Sequence, residues 1–471
     1  MTAMLWTLEA LAAAAHAQID GGPYAAVQGV SIDSRTLEPG DLFVALRDVR
    51  DGHDFVSNAF AAKAAAALVD MGYERKPADG ALLRVADTLA GLVDIAKASR
   101  ARSPARVIAV TGSVGKTGTK EMLRAVLSRL GPTHAAEKSF NNHWGVPLTL
   151  ARLPVSSTFG VFEIGMNHAG EITPLTRMVR PHVAIVTTVE AVHIENFASI
   201  EGIAEAKAEI FLGLEPGGTA VVNRDNPWHG LLTERARAAG AKLLTFGRDP
   251  AADVRAVDVA LDPQGSKITA EHAGAQYTWR LGAPGAHLAQ NSLAVLAALI
   301  ALGLDRPTIS EALQALGSAT APPGRGARTT FKSGDGTLLL IDESYNANPT
   351  SMRAALAAVA LLPRQTHRRR IAVLGDMLEL GPDSPALHIG LAEAVDAAGI
   401  DLVFAAGPMM KGLFAKIDPA RRGAWANTSA EIEAPLLDAL RGGDVVMIKG
   451  SFGSRMGPLV GAIRSRFAVA D

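Results

Sequence analysis

Two sets of short apolar runs set the tightest limit on how this chain can fold. "RVIAVTG", "FGVFEIG", "HVAIVTTV", "GTAVVN" and "KLLTFG" lie between residues 106 and 247. "TLLLIDE", "IAVLGDM", "DLVFAAG" and "DVVMIKG" lie between residues 337 and 450. Each run has the length of a strand, and most end in small or polar residues. Runs without polar alternation are buried on both faces, as in a mostly parallel sheet, and the helical stretches between most of them supply the covering layers. The Pro/Gly/Arg stretch "TAPPGRGAR", residues 320–328, separates the two sets and reads as an interdomain linker.

A third unit precedes them. Residues 1–85 carry a first helix in "MTAMLWTLEALAAAAHAQIDGG", a strand segment "VQGVSIDSR", then "GDLFVAL" and an Ala-rich helix "VSNAFAAKAAAALVD". The 471 residues are enough for about three domains, each with its own core. The expected fold class is α/β in three domains. Residues 1–85 form a small N-terminal α/β domain. Residues 86–321 form a central P-loop-type domain, a mostly parallel sheet with helices that opens on the helix "ADTLAGLVDIAKASRARS". Residues 322–471 form a C-terminal Rossmann-like doubly wound domain, in which ligands meet the carboxyl ends of the strands. Within the central domain, residues 253–281 alternate apolar and polar around a Pro-Gln-Gly turn, which predicts an appended antiparallel patch.

Composition narrows the class of function. Net charge is −1, from 46 basic and 47 acidic residues, so no basic excess supports a general nucleic-acid or membrane-surface role. The run "RQTHRRR", 364–370, reads as a solvated loop. There are no cysteines, which excludes disulfides and thiolate metal sites. The first residues lack a basic leader, and Glu9 interrupts their apolar run, so they read as an amphipathic helix. The longest apolar run, "LAVLAALIALGL" at 293–304, is too short for a bilayer and reads as a buried helix. A cytoplasmic protein is expected.

The stretch "TGSVGKTGTKE", 111–121, supplies the first chemistry. A strand over Val107–Thr111 and a helix over Lys120–Leu130 bracket a loop of Gly112, Ser113, Val114, Gly115, Lys116, Thr117 and Gly118. Glycines let backbone N–H groups turn toward phosphate oxygens, and the helix start adds positive potential. Lys116 would neutralise terminal phosphates, and the Thr117 hydroxyl would ligate Mg²⁺. The spacing is shorter than the usual P-loop, because Val110 stands where the first glycine belongs. The motif specifies a nucleotide site but no reaction.

Three polar residues near strand ends extend the site. Glu163 closes an apolar strand, where a buried carboxylate needs a cation or donor. Beside Thr117 it suits Mg²⁺, the alternative being a salt bridge to Lys or Arg. His193 follows "VAIVTTV" on the expected phosphate side, as a ligand rather than a structural histidine. Lys207 shares a helical stripe with Ile203 and Ile210; periodicity alone favours a lysine snorkelling from the edge of that face.

These pieces together resemble the Mur ligase family of ATP-dependent amide-forming enzymes. The motifs run in family order over nearly the whole chain: "TGSVGKTGTKEM", "NNHWGVPLTL", "FEIGMNHAGEI", "VHIENFASIEGIAEAKAEIF", "NRDNP", "GAHLAQNSLAV", "PPGRG", "DESYNANP", "LGDMLELG" and "KGSFGSRM". "SYNANP" followed by "LGDMLELG" is similar to the branch that adds D-alanyl-D-alanine; folylpolyglutamate synthases carry a "GAHNP"-like run there. Gly118 departs from a frequent Thr or Ser.

The resemblance implies that ATP phosphorylates the terminal carboxylate of a UDP-N-acetylmuramoyl-tripeptide, and that the amine of D-alanyl-D-alanine attacks the acyl phosphate. It implies two Mg²⁺ ions, held by Thr117, Glu163, His193 and Lys207, with Lys207 carrying a CO₂-derived carbamate. Catalytic roles fall to Lys116, Glu163, His193 and Lys207. His287 and Asn291 would contact the adenine side, and Arg325, Asp342 and Asn346 the nucleotide from the third domain. Tyr345, Asn348, Lys449 and Ser451 would contact the dipeptide or another anion, and Ser34 and Arg35 the UDP-sugar. The partners implied are these small molecules, with neither nucleic acid nor membrane, and a monomer is expected. A P-loop kinase or nucleotide switch has no use for His193, Lys207 or the third-domain motifs. A module that kept the fold and lost catalysis has no use for an intact Lys116, Glu163 and Lys207.

Overall fold

The apolar runs of the middle of the chain become the strands Arg106–Thr111, Phe159–Glu163, Val183–Val186, Thr219–Asn223 and Lys242–Gly247. The computed structural model describes residues 4–22, 26–137, 139–192, 194–263, 265–334 and 336–470. In the nine-stranded central sheet, Arg106–Thr111 lies between Phe159–Glu163 and Val183–Val186, parallel to both. The chain therefore leaves this strand toward one side and later returns on the other. A crevice opens at the carboxyl ends where strand order switches in this way. Register places Glu163 beside Val110 and Val186 beside Thr111. Residues 254–281 form the expected antiparallel patch, Val254–Asp262, Gly265–His272 and Ala275–Leu281, at one edge.

Helices cover both faces. Thr88–Arg102 and Ile172–Val179 share one core with the sheet, while Lys116–Leu127 and Ala286–Ala301 share the other. The run at 293–304 lies largely within Ala286–Ala301 and is buried there. Among the described residues no helix is long and apolar enough to cross a membrane.

The third domain has a six-stranded sheet in the order 327–333, 336–343, 444–449, 369–375, 402–406, 422–426. All neighbours are parallel except the first pair. The outermost strands, Ala327–Ser333 and Arg422–Ala426, are half-exposed and carry no apolar run, which is why pattern reading passes over them. The first domain has a five-stranded sheet within residues 18–85.

Three expectations are corrected. Residues 56–70 are not one helix: Val56–Ala61 is helical, Lys63 turns the chain at φ 69°, and Ala66–Asp70 is a strand paired on both sides. Alanine favours helices in isolation, but burial between two parallel strands overrides a propensity worth tenths of a kcal/mol. The helix after the phosphate loop begins at Lys116 rather than Lys120, because Gly115 at φ 90° already turns the chain into it. The arginine run is no solvated loop. Arg369 pairs with Asp444 at 2.7 Å, and the Arg370 guanidinium donates to the carbonyls of Ala360, Leu362 and Ala398.

Candidate active site

A cleft of about 1980 Å³ starts at the phosphate loop and runs between the central and third domains. Among the described residues its walls carry eight Lys or Arg side chains against four Glu and no Asp, in a chain whose net charge is −1. Low-dielectric walls focus such a field on anionic ligands.

The loop is shaped by two glycines at which any side chain would be strained. Gly112 has φ 146°, and a Cβ there would lie 1.9 Å from Thr187 Oγ1. Gly115 has φ 90°, and its Cβ would lie 2.6 Å from Asn291 Oδ1. The chain after strand Val183–Val186 fixes the loop from the side: Thr187 Oγ1 donates to Val114 O at 2.6 Å, and Ser113 Oγ to Glu190 O at 3.0 Å. Lys116 Nζ donates to Gly112 O at 2.6 Å. Burial lowers its pKa; Glu163 opposes that shift and Arg325 adds to it. Gly118 lines the cleft on the next turn.

Glu163 is 1% exposed. One carboxylate oxygen accepts from Thr117 Oγ1 at 2.8 Å, the other from Asn141 Nδ2 at 2.7 Å. Among the described residues it forms no ion pair with Lys or Arg, so the salt-bridge alternative has no support. A hydroxyl and a carboxylate beside a phosphate loop are a hard oxygen donor set that fits Mg²⁺. Asn141 is absent from the residues picked out above, although it opens the quoted motif "NNHWGVPLTL".

Lys207 is 2% exposed and does not snorkel, contrary to the reading from periodicity. Burial, and then the charge of Lys116, hold its pKa well below the ordinary lysine value. It stands behind the cleft wall rather than on it. His193 lies outside the described residues.

His287 and Asn291 start the helix Ala286–Ala301, and both line the cleft. Burial lowers the His287 pKa, against the smaller effect of Glu343, and Lys449 lowers it further. From the third domain, Arg325 Nη2 donates to Ser139 Oγ at 2.8 Å, with its guanidinium 4.3 Å from the centre of the Tyr345 ring. Tyr345, Asn346, Asn348 and Lys449 also line the cleft. Asn348 caps its helix, accepting from Ser351 N at 2.8 Å. Lys449 Nζ donates to Asn346 O at 2.9 Å and pairs with Glu343 at 3.2 Å.

Other candidates stand apart from this group. Asp342 is turned into the linker, accepting from Gly324 N at 2.9 Å and Ser344 Oγ at 2.6 Å. Ser451 Oγ accepts from Leu378 N at 2.9 Å and lies off the cleft wall. Ser34 and Arg35 sit on a first-domain turn outside the cleft, where the largely exposed Arg35 pairs with Asp33 at 2.7 Å.

Known proteins share this architecture. Residues 26–100 match the Mur ligase family catalytic domain, 110–299 the Mur ligase middle domain, and 327–452 the Mur ligase, glutamate ligase domain. The UDP-N-acetylmuramoyl-tripeptide–D-alanyl-D-alanine ligase of Escherichia coli (strain K12) is 38% identical over 389 residues, 81% of each chain. The crystal structure of MurF from Acinetobacter baumannii superposes with a TM-score of 0.82 at 31% identity, covering 97% of this chain and 98% of that one. The MurF ligase of Thermotoga maritima, solved in complex with ADP, gives 0.75 at 25% identity, covering 93% and 97%.

Proposed function

The chain belongs to the Mur ligase family, and from that membership and the cleft we propose that it joins D-alanyl-D-alanine to the terminal carboxylate of a UDP-N-acetylmuramoyl-tripeptide at the expense of ATP. A carboxylate oxygen of the tripeptide attacks the γ-phosphorus, and ADP leaves with the bridging oxygen. The dipeptide amine then attacks the acyl carbon, loses a proton, and inorganic phosphate departs from the tetrahedral intermediate. The products are amide, ADP and phosphate. The protein acts as a monomer in the cytoplasm, on a peptidoglycan precursor.

The observation that carries this reading is the Thr117–Glu163 pair at the phosphate loop, facing Arg325 across the cleft. Bringing a carboxylate to a γ-phosphate sets two anions against each other. Lys116, from the loop, and Arg325, from the third domain, supply preorganised positive charge for that encounter. Thr117 and Glu163 would hold Mg²⁺, which would offset further phosphate charge. The proposed ligands of a second ion are Glu163, His193 and Lys207 as its carbamate. The lowered pKa of Lys207 supports this, because the neutral amine is the form that adds to CO₂, losing a proton as the N–C bond forms. Asn346 and Lys449 line the cleft, where Asn346 would contact the nucleotide and Lys449 the incoming dipeptide.

An amine-dependence assay tests the proposal. Phosphate release from ATP is expected only with the UDP-tripeptide present, and full turnover only with D-alanyl-D-alanine, above D-alanyl-D-serine and single amino acids. Release indifferent to any amine would sink the ligase reading.

A further inference from the structure

Two contacts join the third domain to the phosphate loop, one on each side of it, and each has a member given no role above. On one side, the segment Thr187–Glu190 is stitched to the loop. Ser113 N donates to Thr188 O at 2.8 Å, and Glu190 N donates to Ser113 Oγ at 2.9 Å. Asn226 Nδ2 braces the segment from behind, donating to Thr188 Oγ1 at 2.9 Å and Val189 O at 3.0 Å. Burial raises the pKa of the half-buried Glu190 carboxylate as it leaves this strap, and the nearby hydroxyls of Thr350 and Thr188 oppose that shift. Thr350 is in the first turn of the helix Pro349–Ala360, directly after "DESYNANP". The strap's continuation meets the third domain again, since a Cβ on Gly381 would lie 3.8 Å from Glu195 Cα. On the other side of the loop, Ser139 Oγ accepts from Arg325 at 2.8 Å.

We infer that Glu190 and Ser139 are positioning residues that seat the third domain against the phosphate loop, acting through Thr350 and Arg325. The loop and the helix Ala286–Ala301 that would hold most of a nucleotide are both in the central domain, but amide formation needs the dipeptide's domain in register with it. The strap makes one body of the loop and the Glu190 carboxylate, so the seat and the phosphate cradle move together. The expected cost of removing Glu190 therefore falls on the amine rather than on the nucleotide. The kinetic arm rests on the ligase reading; a proteolysis arm does not.

Glu190→Ala is expected to raise the KM for D-alanyl-D-alanine about tenfold, the scale of one hydrogen bond to a charged acceptor. ADP affinity, measured by calorimetry, is expected to stay within about twofold, because the backbone contacts to Ser113 remain. Glu190→Gln keeps an acceptor and is expected to behave like the parent. Thr350→Val, in the other domain, is expected to reproduce Glu190→Ala, with no further loss in the pair. Ser139→Ala is expected to shift the same KM. Independently of any amine, trypsin cleavage at Arg325 or Arg328 in the ADP-bound protein is expected to quicken in Glu190→Ala and not in Glu190→Gln. An unchanged KM with unchanged cleavage overturns the inference, as does a loss of ADP affinity equal to the rise in KM. Faster cleavage in a protein without ligase activity upholds the seat and removes the ligase reading alone.

Discussion

At Lys207 stability and the proposed activity oppose each other. An amine 2% exposed with a strongly lowered pKa is bound by fewer protons in the folded chain than in the unfolded one. The folded value lies below the unfolded one, so stability rises with pH through the interval between them, up to the ordinary value of 10.5. Lys207→Met is expected to flatten that pH dependence and raise the melting midpoint by ~2–4 °C at neutral pH, while abolishing ligation. Bicarbonate should stabilise the parent and leave the variant unmoved. Lys207→Ala should be inactive, with partial rescue by acetate or formate; an unaffected variant refutes the carbamate. At this scale the sequence showed Lys116, Thr117 and Glu163, because each ends or follows an apolar strand where a polar group needs a reason. It could not show that Asp342 turns into the linker and Ser451 toward Leu378 N, since a polar residue past a strand reads the same whichever way it points. Nor did it mark Glu190 or Ser139, whose partners are distant in the chain.

At the scale of the element, the helix Lys116–Leu127 owes its start to Gly115. A methyl there meets Asn291 Oδ1 at 2.6 Å and forces an L-residue to φ 90°. Gly115→Ala is expected to weaken ADP binding about tenfold by calorimetry, with roughly 1 kcal/mol of backbone strain lowering the melting midpoint slightly. Parallel strands were legible because burial on both faces leaves an unbroken apolar run. The strand Ala66–Asp70 was not, because alanine is as welcome in a helix as in a crowded sheet centre. The edge strands were not, because half of each faces water.

For the whole molecule, field and linker matter most. Among the described residues, eight cationic side chains against four acidic ones line the cleft of a nearly neutral protein. The kcat/KM for the anionic UDP-tripeptide is therefore expected to fall several-fold, about three- to tenfold, between 50 and 300 mM salt, more steeply than the melting midpoint changes. The three-domain plan was legible from the two sets of runs and the Pro/Gly linker, whereas the faces the domains turn to each other depend on side chains far apart in the chain. The linker itself is only partly free. Gly324 N and Gly326 N donate to Asp342 at 2.9 and 2.8 Å, and Tyr345 N donates back to Gly324 O at 3.1 Å. Residues 324–326 are thus tied to the third domain, and a hinge between the domains would fall in the residues before them. On the proposed role of Arg325, this makes an interlock. The charge that steadies the γ-phosphate is carried on the same rigid part as the amine's docking platform, so the phosphate is not committed until the acceptor's side of the machine has arrived.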